Sequence, residues 1–335
     1  MPIPHHFMYT FVVLLLVVSA SASATTIADE QYTLDTIHTT HRVEPSAETF
    51  TPLSLNSLED LLSNIANAHR NYNYQGLLTY EANGSLSTMK LVHRVQGNAV
   101  LQQLDFLDGA PRQVVREQDL TVCNQGKTRW GLWPLSFNVD SLSSLYHIGA
   151  LGDERVANRQ TTIIDLVPKD KLRYGYRFNV DQQTGLLLKT MVVEKTRVIE
   201  RTQFVDISLQ EEDSQPLVND DQNTAMWRVP KVEPCHTEQF QSGWLVEWLP
   251  AGFSAAGNRT TSLGEQVLMF TDGLVSISVF IVTNKQPRFP GFTARRGASV
   301  AVILPLSVDT SRSVVVVGEI PVKTARRIAA SVKPQ

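Results

Sequence analysis

The stretch Arg173–Phe178 has the sequence Arg-Tyr-Gly-Tyr-Arg-Phe, in which aromatic residues alternate with arginine and glycine. Successive side chains of a β-strand point to opposite faces of its sheet, so this period predicts a strand with a buried aromatic face and a hydrated arginine face. In a second stretch, Met89–Val95, apolar residues share one face with His93, while Lys90 and Arg94 take the other. Both stretches predict strands of a sheet with one buried and one hydrated face.

Turn dipeptides separate alternating runs of this kind throughout Tyr74–Leu209. They are Asn83-Gly84, Gly97-Asn98, Asp108-Gly109, Gln125-Gly126 and Thr184-Gly185. Such residue pairs favour tight hairpins between antiparallel strands. Helices do not recur between the runs, as a parallel sheet would require. The region is therefore predicted to be one large, curved antiparallel sheet with a few helices packed on one side.

Two helices are predicted in this first part of the chain. The first begins with Ser57 as its N-cap, and carboxylates in the next turn favour a helix N-terminus. Its apolar residues recur at helical spacing and form one face: Leu58, Leu61, Leu62 and Ile65. This helix is expected to end near residues 71–73. The second helix is expected within Leu142–Leu151, between two strands.

A smaller α+β domain is predicted after an acidic segment. Glu211–Asp221 carries five acids in eleven residues together with Pro216, a composition typical of a linker. Beyond it, strands are predicted at Trp244–Trp248, Gln266–Phe270, Val275–Val282, Ser299–Leu304 and Ser313–Gly318. A closing helix is predicted over Lys323–Val332, with Ala325, Ile328, Ala329 and Val332 on its apolar face. The fold class is therefore mainly β with α+β character.

Length and composition fit an exported two-domain protein. The 335 residues correspond to two domains at about 150 residues each. The content of 42% apolar and 19% charged residues excludes a disordered regulator, a collagen-like repeat and a polytopic membrane protein. The apolar run Phe7–Val18 is shorter than the roughly 20 residues that span a bilayer, and small residues follow it up to Ala24. A cleavable signal peptide is predicted; an uncleaved anchor is the alternative, since Met1–His6 contains no Lys or Arg.

The predicted boundaries divide the chain into five parts. They are a signal peptide over residues 1–24, a flexible leader over 25–52, a first domain over 53–210, a linker over 211–240 and a second domain over 241–335. Residues 25–240 contain 20 basic and 28 acidic side chains, whereas residues 241–335 contain 10 basic and 5 acidic ones. The total formal charge of −3 gives no electrostatic argument for binding nucleic acid. The net charge is therefore −8 for residues 25–240 and +5 for residues 241–335.

A basic and aromatic segment lies in a stretch without acids, between residues 273 and 308. Its members are Lys285, Arg288, Phe289, Phe292, Arg295 and Arg296. The segment is either a solvated basic loop or a platform for an acidic segment or for phosphate groups. We assign these six residues to partner binding.

Sequence signatures of enzymes are absent. The chain contains no GxGxxG or Walker A loop, and its eight histidines have no spacing typical of a zinc site. Residues 252–257 miss the GxSxG pattern by one residue and are interpreted as a turn. No catalytic residue, metal or cofactor is therefore predicted, and an enzyme without a known signature is the weaker alternative.

Two further features leave alternatives open. The two cysteines, Cys123 and Cys235, either form a disulfide in an oxidising compartment or stay separate thiols. The stretch of residues 130–137 is unusually rich in large apolar side chains: Trp130, Leu132, Trp133 and Phe137. These side chains either pack on the core or rim an apolar ligand cavity. We assign them to the cavity as candidate ligand-binding residues.

Segments in both domains carry a resemblance to one known family. In the first domain they are Asp108–Glu117 (DGAPRQVVRE), Gly152–Arg159 (GDERVANR), Arg173–Phe178 (RYGYRF) and Thr184–Lys189 (TGLLLK). In the second they are Trp248–Phe253 (WLPAGF), Phe270–Val279 (FTDGLVSISV), Gly318–Pro321 (GEIP) and Thr324–Ile328 (TARRI). Together, and in this order over residues 57–333, they resemble the RseB/MucB family, periplasmic negative regulators of the envelope-stress sigma factor sigma-E.

The resemblance implies a fold and a function. The first domain is expected to be an unclosed antiparallel β-barrel around an apolar cavity, like the lipoprotein carriers LolA and LolB. The second is expected to help hold the periplasmic segment of a membrane-spanning anti-sigma factor and shield it from its site-1 protease. Lipopolysaccharide or mislocalised lipoprotein acyl chains are the implied effector. The resemblance also implies a periplasmic protein that is not an enzyme, and it leaves a homodimer open.

A plain periplasmic lipid or lipoprotein carrier of the LolA type is the alternative hypothesis, because a fold does not determine a function. The basic second domain favours the regulator, since a carrier needs only the cavity.

Overall fold

One sheet of eleven strands dominates the computed structural model, which describes residues 50–97, 99–119, 139–210, 225–228, 242–261, 264–283, 291–307, 309 and 311–335. Its strands are β1 (Thr51–Pro52), β2 (Asn73–Ala82), β3 (Ser85–Gln96), β4 (Ala99–Phe106), β5 (Arg112–Asp119), β6 (Tyr146–Val156), β7 (Arg159–Pro168), β8 (Gly175–Asp181), β9 (Leu187–Glu194), β10 (Arg197–Gln210) and β11 (Ala225–Arg228). They lie in the order β1-β6-β7-β8-β9-β10-β2-β3-β4-β5-β11. All neighbours are antiparallel except β5 and β11, and the edge strands β1 and β11 do not pair with each other. The predicted unclosed antiparallel sheet is confirmed.

The hairpins confirm several of the predicted turns and add others. Asn83 and Gly84 join β2 to β3 with φ angles of 53° and 75°, as expected for an Asn-Gly hairpin. The turn between β6 and β7 instead uses Ala157 and Asn158, with φ angles of 47° and 63°. Alanine is not a typical residue for this conformation, so the composition of the turn did not predict it.

Helix α1 (Leu55–Asn71) begins earlier than predicted. The side chain of Ser54, not Ser57, caps it, because the Ser54 hydroxyl oxygen accepts the backbone N–H of Ser57 at 3.2 Å. Helix α2 (Val139–Leu145) ends where strand β6 begins, so the helix predicted over Leu142–Leu151 is wrong beyond Leu145. The residues that follow pair with β7, which removes them from the helix.

Two short strands lie in segments that the sequence assigned to a leader and a linker. Strand β1 belongs to the predicted leader over residues 25–52, and it pairs with Gly149 and Ala150 of β6. Strand β11 belongs to the predicted linker over residues 211–240, and it pairs with the first half of β5. Both segments therefore contribute backbone to the first sheet. The predicted signal peptide over residues 1–24 lies outside the described residues.

A smaller second sheet follows, with a helix packed on it. It consists of β13 (Ser254–Thr260), β14 (Gln266–Thr271), β15 (Ser276–Thr283), β16 (Phe292–Arg296), β17 (Ser299–Pro305) and β18 (Arg312–Gly318), in the order β13-β14-β15-β18-β17-β16. Beside it, β12 (Trp244–Val246) pairs with β19 (Val332–Pro334). Helix α3 (Val322–Ala330) ends before Val332, which the prediction had included in the helix. Within the described ranges, no helix has the length and apolar character needed to cross a membrane.

The core of the first sheet lies on one face, which we call the inner face. Leu58, Leu62 and Ile65 of α1 and Leu142 of α2 are buried against it, as are the inward side chains of the central strands. The same core includes Leu274, Val275 and Ala298, which belong to the second sheet and its turns. The second domain thus closes part of the inner face of the first.

Candidate functional site

The structure describes only part of the site predicted from the sequence. The candidate cavity residues Trp130, Leu132, Trp133 and Phe137 lie outside the described residues, and so do Cys123, Cys235, Lys285, Arg288 and Phe289. Phe292, Arg295 and Arg296 lie on β16, the edge strand of the second sheet. Their surroundings indicate two different roles.

The Phe292 side chain is exposed to solvent, whereas Arg295 contacts the first domain. The Phe292 side chain is 52% exposed at the start of β16. The Arg295 guanidinium forms an ion pair of 3.1 Å with Glu194 at the end of β9, and its Nε donates to the Gly297 carbonyl. It also lies 5.9 Å from the centre of the Tyr174 ring. Arg295 therefore links the two domains within the chain.

The turn between β16 and β17 docks on a carboxylate of the first domain. Glu200 of β10 accepts the backbone N–H of Ala298 at 3.0 Å and the hydroxyl group of Tyr80. Gly297 has a φ angle of 57°, and a Cβ atom at this position would collide with the Glu200 carboxylate. Both the backbone conformation and the close approach favour glycine here.

A buried ion pair lies at the centre of the contact between the domains. Arg173, predicted to be hydrated, has no exposed side-chain surface, and it lies 2.7 Å from the equally buried Asp272 in the turn after β14. Asp170 and the carbonyl oxygen of Ala251 accept its remaining N–H groups. The prediction for Arg173 is wrong because Arg173 precedes β8, which begins at Gly175, and the turn that contains Asp272 covers its side chain. The aromatic face of Tyr174, Tyr176 and Phe178 is buried as predicted.

Backbone groups of the same turn also bind the Asp272 carboxylate. Its carboxylate accepts the backbone N–H groups of Leu274 at 3.0 Å and Val275 at 2.9 Å. Burial raises the pKa of Asp272, and these N–H groups and Arg173 act in the opposite direction by favouring the charged form. The turn is therefore shaped to present a carboxylate to the first domain.

Further hydrogen bonds join the segment before β8 to α3 and to Ile320 just before it. The Tyr174 hydroxyl donates to the Ile320 carbonyl at 3.1 Å, and the Thr324 hydroxyl donates to the Leu172 carbonyl at 2.9 Å. Burial raises the pKa of Tyr174 to about 12. The side chain of Leu145 packs against Gly252. These contacts fix the second domain on the inner face through polar and apolar groups together.

A second polar cluster lies inside the first domain, under the C-terminal end of α1. The Tyr74 hydroxyl lies 3.2 Å from Nδ1 of His69, and Nε2 of His93 lies 2.8 Å from the His69 carbonyl. Gln102 donates its amide to Nδ1 of His93 at 3.0 Å, and the Tyr74 and His93 rings stack at 4.5 Å. The sequence predicted His93 on the apolar face, but helical spacing did not show that His69 would meet it. In the described part of the chain, no group of His, Cys, Asp and Glu side chains could hold a metal ion.

Comparison with known proteins covers both domains. Residues 57–226 match the MucB/RseB N-terminal domain, and residues 238–333 match the MucB/RseB C-terminal domain. The chain belongs to the MucB/RseB family. The family resemblance predicted from the sequence is thereby confirmed. Family members among its relatives carry names of regulatory proteins rather than of enzymes.

Two relatives illustrate the similarity within the MucB/RseB family. The sigma factor AlgU regulatory protein MucB of Pseudomonas aeruginosa is 34% identical over 291 residues, which are 82% of this chain and 90% of MucB. The sigma-E factor regulatory protein RseB of Haemophilus influenzae is 26% identical over 291 residues, 83% of this chain and 91% of RseB. The similarity therefore extends over both domains of each relative.

Solved structures of MucB show the same fold. MucB in the complex of Pseudomonas aeruginosa MucA and MucB matches 82% of this chain and 98% of the solved chain, with a TM-score of 0.63 and 32% identity. MucB in complex with MucA(peri) matches with a TM-score of 0.62, and a crystal structure of MucB matches with a TM-score of 0.59.

Proposed function

We propose that this chain is a periplasmic regulator that binds the periplasmic segment of a sigma-E anti-sigma factor. In this proposal it shields that segment from site-1 proteolysis. Lipopolysaccharide or a mislocalised lipoprotein is the effector, and its acyl chains enter the apolar interior of the first domain. The observation that carries the proposal is the match to MucB solved in complex with MucA(peri), which covers 83% of this chain and both of its domains.

The charge of the second domain supports a partner-binding role. Residues 241–335 have twice as many basic as acidic side chains, 10 against 5. Such an excess attracts an acidic partner and raises the rate of association. The exposed Phe292 lies within the basic and aromatic segment and offers an apolar anchor beside its charges. Lys285, Arg288, Phe289, Phe292 and Arg296 form the proposed partner surface.

Arg295 is less suited to partner binding than the sequence suggested. Its guanidinium already pairs with Glu194, so its replacement would disturb the contact between the domains as well as a partner. Substitutions that test the partner surface therefore avoid Arg295. The cavity residues Trp130, Leu132, Trp133 and Phe137 remain the proposed rim of the effector site.

A protease-protection assay tests the proposed function. The periplasmic segment of the anti-sigma factor from the same genome is incubated with its site-1 protease, with and without the mature chain. We expect the chain to slow cleavage, and lipopolysaccharide to restore it. Unchanged cleavage in the presence of excess chain would contradict the proposal, and lipid binding without any effect on cleavage would favour a carrier.

A matched pair of variants tests the location of the proposed partner surface. Phe292→Ser removes an apolar side chain that is 52% exposed on β16, and Leu245→Ser removes one that is 50% exposed on β12. We expect Phe292→Ser to weaken protection and Leu245→Ser to leave it unchanged. Equal effects of both variants would place the partner elsewhere.

A further inference from the structure

The second sheet has two apolar faces, and helix α3 covers one of them. Helix α3 shares a core with Val314 and Val316 of β18. Val315 and Val317 alternate with these two valines, so their side chains point to the opposite face, which we call the rear face. Both are half-buried, and neither belongs to the hydrophobic core of either domain.

The register of the strands joins rear-face side chains into a row. Phe280 of β15 pairs with Val315 of β18. Val315 pairs on its other side with Ile303 of β17, and Ile303 pairs with the exposed Phe292 of β16. Directly paired residues of neighbouring strands lie on the same face of a sheet. At about 4.8 Å between neighbouring strands, this row is about 14 Å long.

A second row lies beside the first, nearer the turns that contact the first domain. Its members are Ser278, Val317, Ala301 and Ala294. The two rows contain no charged residue, and Ser278 is their one polar residue. Small side chains in the second row and large ones in the first give the rear face a shallow apolar step.

The apolar composition of the rear face is unusual for a face that no other element covers. An antiparallel sheet with one hydrated face carries polar residues at alternate positions, whereas β18 has four consecutive valines, Val314–Val317. Continuous apolar runs are typical of strands that are buried on both faces. Among the helices and strands that the structure describes, none shares a core with the rear face. Contiguous apolar surface of this kind marks an interaction site.

We propose that the rear face of the second sheet is the docking surface for an amphipathic, acidic helix of the anti-sigma segment. The face of a sheet offers side chains but no unpaired backbone groups, so it suits a helix with one apolar side rather than an added strand. A row of about 14 Å corresponds to about nine residues of helix at 1.5 Å per residue. Helix α3, which covers the opposite face, also has 9 residues.

Charge favours an acidic partner over a second copy of this chain. Residues 241–335 have a net charge of +5, so two copies would repel each other at this face, whereas an acidic helix would be attracted. Beyond Phe280 the first row continues through the buried Val267 to Arg259 of the edge strand β13. Arg259 is exposed and places a positive charge at this end of the row.

This inference rests on the proposed function, because its ligand is the anti-sigma segment, and it adds the face that binds the segment. The test compares two double variants of the mature chain. The rear-face variant, Ile303→Thr/Val315→Thr, puts hydroxyl groups in the middle of the row but keeps β-branched side chains, which suit strands. The control variant, Val198→Thr/Val205→Thr, makes the same kind of change at exposed positions of β10.

The affinity of each variant for the anti-sigma segment is the first measurement. We expect the rear-face variant to bind the segment at least about tenfold more weakly, because apolar groups that the partner buries are lost. The control variant should bind it as the unaltered chain does.

Photo-crosslinking keeps the test valid if the rear-face variant does not fold. Phe280→p-benzoylphenylalanine puts a light-activated aromatic group in the row, and Leu86→p-benzoylphenylalanine puts the same group at an exposed position of β3. Light should link the anti-sigma segment to residue 280 and not to residue 86.

Three results would overturn the proposal. The first is unaltered affinity in the folded rear-face variant together with no cross-link at residue 280. The second is a rear-face variant that keeps its affinity for the segment but shifts a monomer–dimer equilibrium in sedimentation, which would assign the face to a second copy. The third is a variant that keeps the segment but loses binding to vesicles of phosphatidylethanolamine and phosphatidylglycerol, which would assign the face to a lipid surface.

Protection of the segment from site-1 cleavage is measured in parallel. If the unaltered chain and the rear-face variant protect it equally, the docking face is wrong and the proposed function stands. If the unaltered chain neither binds nor protects the segment, the proposed function fails, and the docking face fails with it.

Discussion

The Arg173 guanidinium and the Asp272 carboxylate are 99 residues apart in the chain, and they form a fully buried ion pair of 2.7 Å between the two domains. Burying two charges is costly unless both are paired and hydrogen-bonded, and here each has further partners. Asp170 and Ala251 accept from the guanidinium, and backbone N–H groups of its own turn donate to the carboxylate. The domains are therefore expected to unfold together.

Removing the Asp272 charge should uncouple the unfolding of the two domains. We expect Asp272→Asn to lower the free energy of unfolding by about 3 kcal/mol, at the lower end for a broken buried pair, because Asp170 still faces Arg173. Urea denaturation should then show two transitions where the unaltered chain shows one. Asp165→Asn is the control, since its ion pair with Arg177 is partly exposed and is worth about 1 kcal/mol or less. Equal losses in the two variants would show that the buried pair has no special role.

The turn at Gly297 provides a second test of the contact between the domains. Gly297→Ala must adopt a positive φ angle and also displace the Glu200 carboxylate, so we expect a loss of about 2–3 kcal/mol in the free energy of unfolding. Gly84→Ala has a comparable φ angle of 75° but open space around its Cβ position, and it should lose only about 1 kcal/mol. The difference between these two losses of unfolding free energy measures the effect of the close contact between Glu200 and residue 297. No difference would mean that the turn moves freely away from β10.

Acid should destabilise the first domain through its buried histidines. Burial, together with the charge of His93, lowers the pKa of His69 to about 3, and burial lowers the pKa of His93 to about 4. Histidine in the unfolded chain titrates near 6.5, so between about pH 6.5 and pH 4 the unfolded state binds more protons. Stability should therefore be greatest above about pH 6.5 and fall as the pH decreases, by up to about 1.4 kcal/mol per pH unit for each histidine.

Variants of His69 and His93 test whether these histidines cause the loss of stability in acid. His69→Gln/His93→Gln should flatten the fall between pH 6.5 and pH 4 in denaturation measurements, whatever its stability at pH 7. His147→Gln, which changes an exposed histidine of β6, should keep the slope of the unaltered chain. A double variant with the original slope would assign the acid sensitivity to other groups.

Limited proteolysis tests the predicted linker. We expect cleavage within Glu211–Asp221, which gives fragments of roughly 20 and 10 kDa on denaturing gels. Because Arg173, Arg295 and Glu200 hold the domains together, the two fragments should co-elute in native gel filtration. Separation of the nicked fragments would show that the interdomain contacts are weak in solution.

Local patterns predicted most of the sheet but not its surroundings. The alternation in Arg173–Phe178 correctly placed the aromatic side chains in the core, since period and polarity are local properties. The same alternation placed Arg173 in water, because nothing near it in the sequence indicates that Asp272 will cover it. The end of α2 was missed for a related reason: Tyr146 joins a strand only because β7 is there to pair with it.

The candidate site shows the same limit. The sequence singled out Arg295 and Arg296 by their charge, in a stretch without acids. Arg295 pairs with Glu194, 101 residues earlier in the chain, whereas Arg296 lies against the ring of Tyr80. A composition argument identifies a basic segment, but only the packing of the two domains shows which of its charges are neutralised.

The most direct test of the central claim is a calorimetric titration of the mature chain with the periplasmic segment of the anti-sigma factor encoded in the same genome. We predict saturable binding with a Kd at or below about 1 μM, as expected for an interface of standard size. Absence of binding at about 100 μM, with both proteins folded, would contradict it.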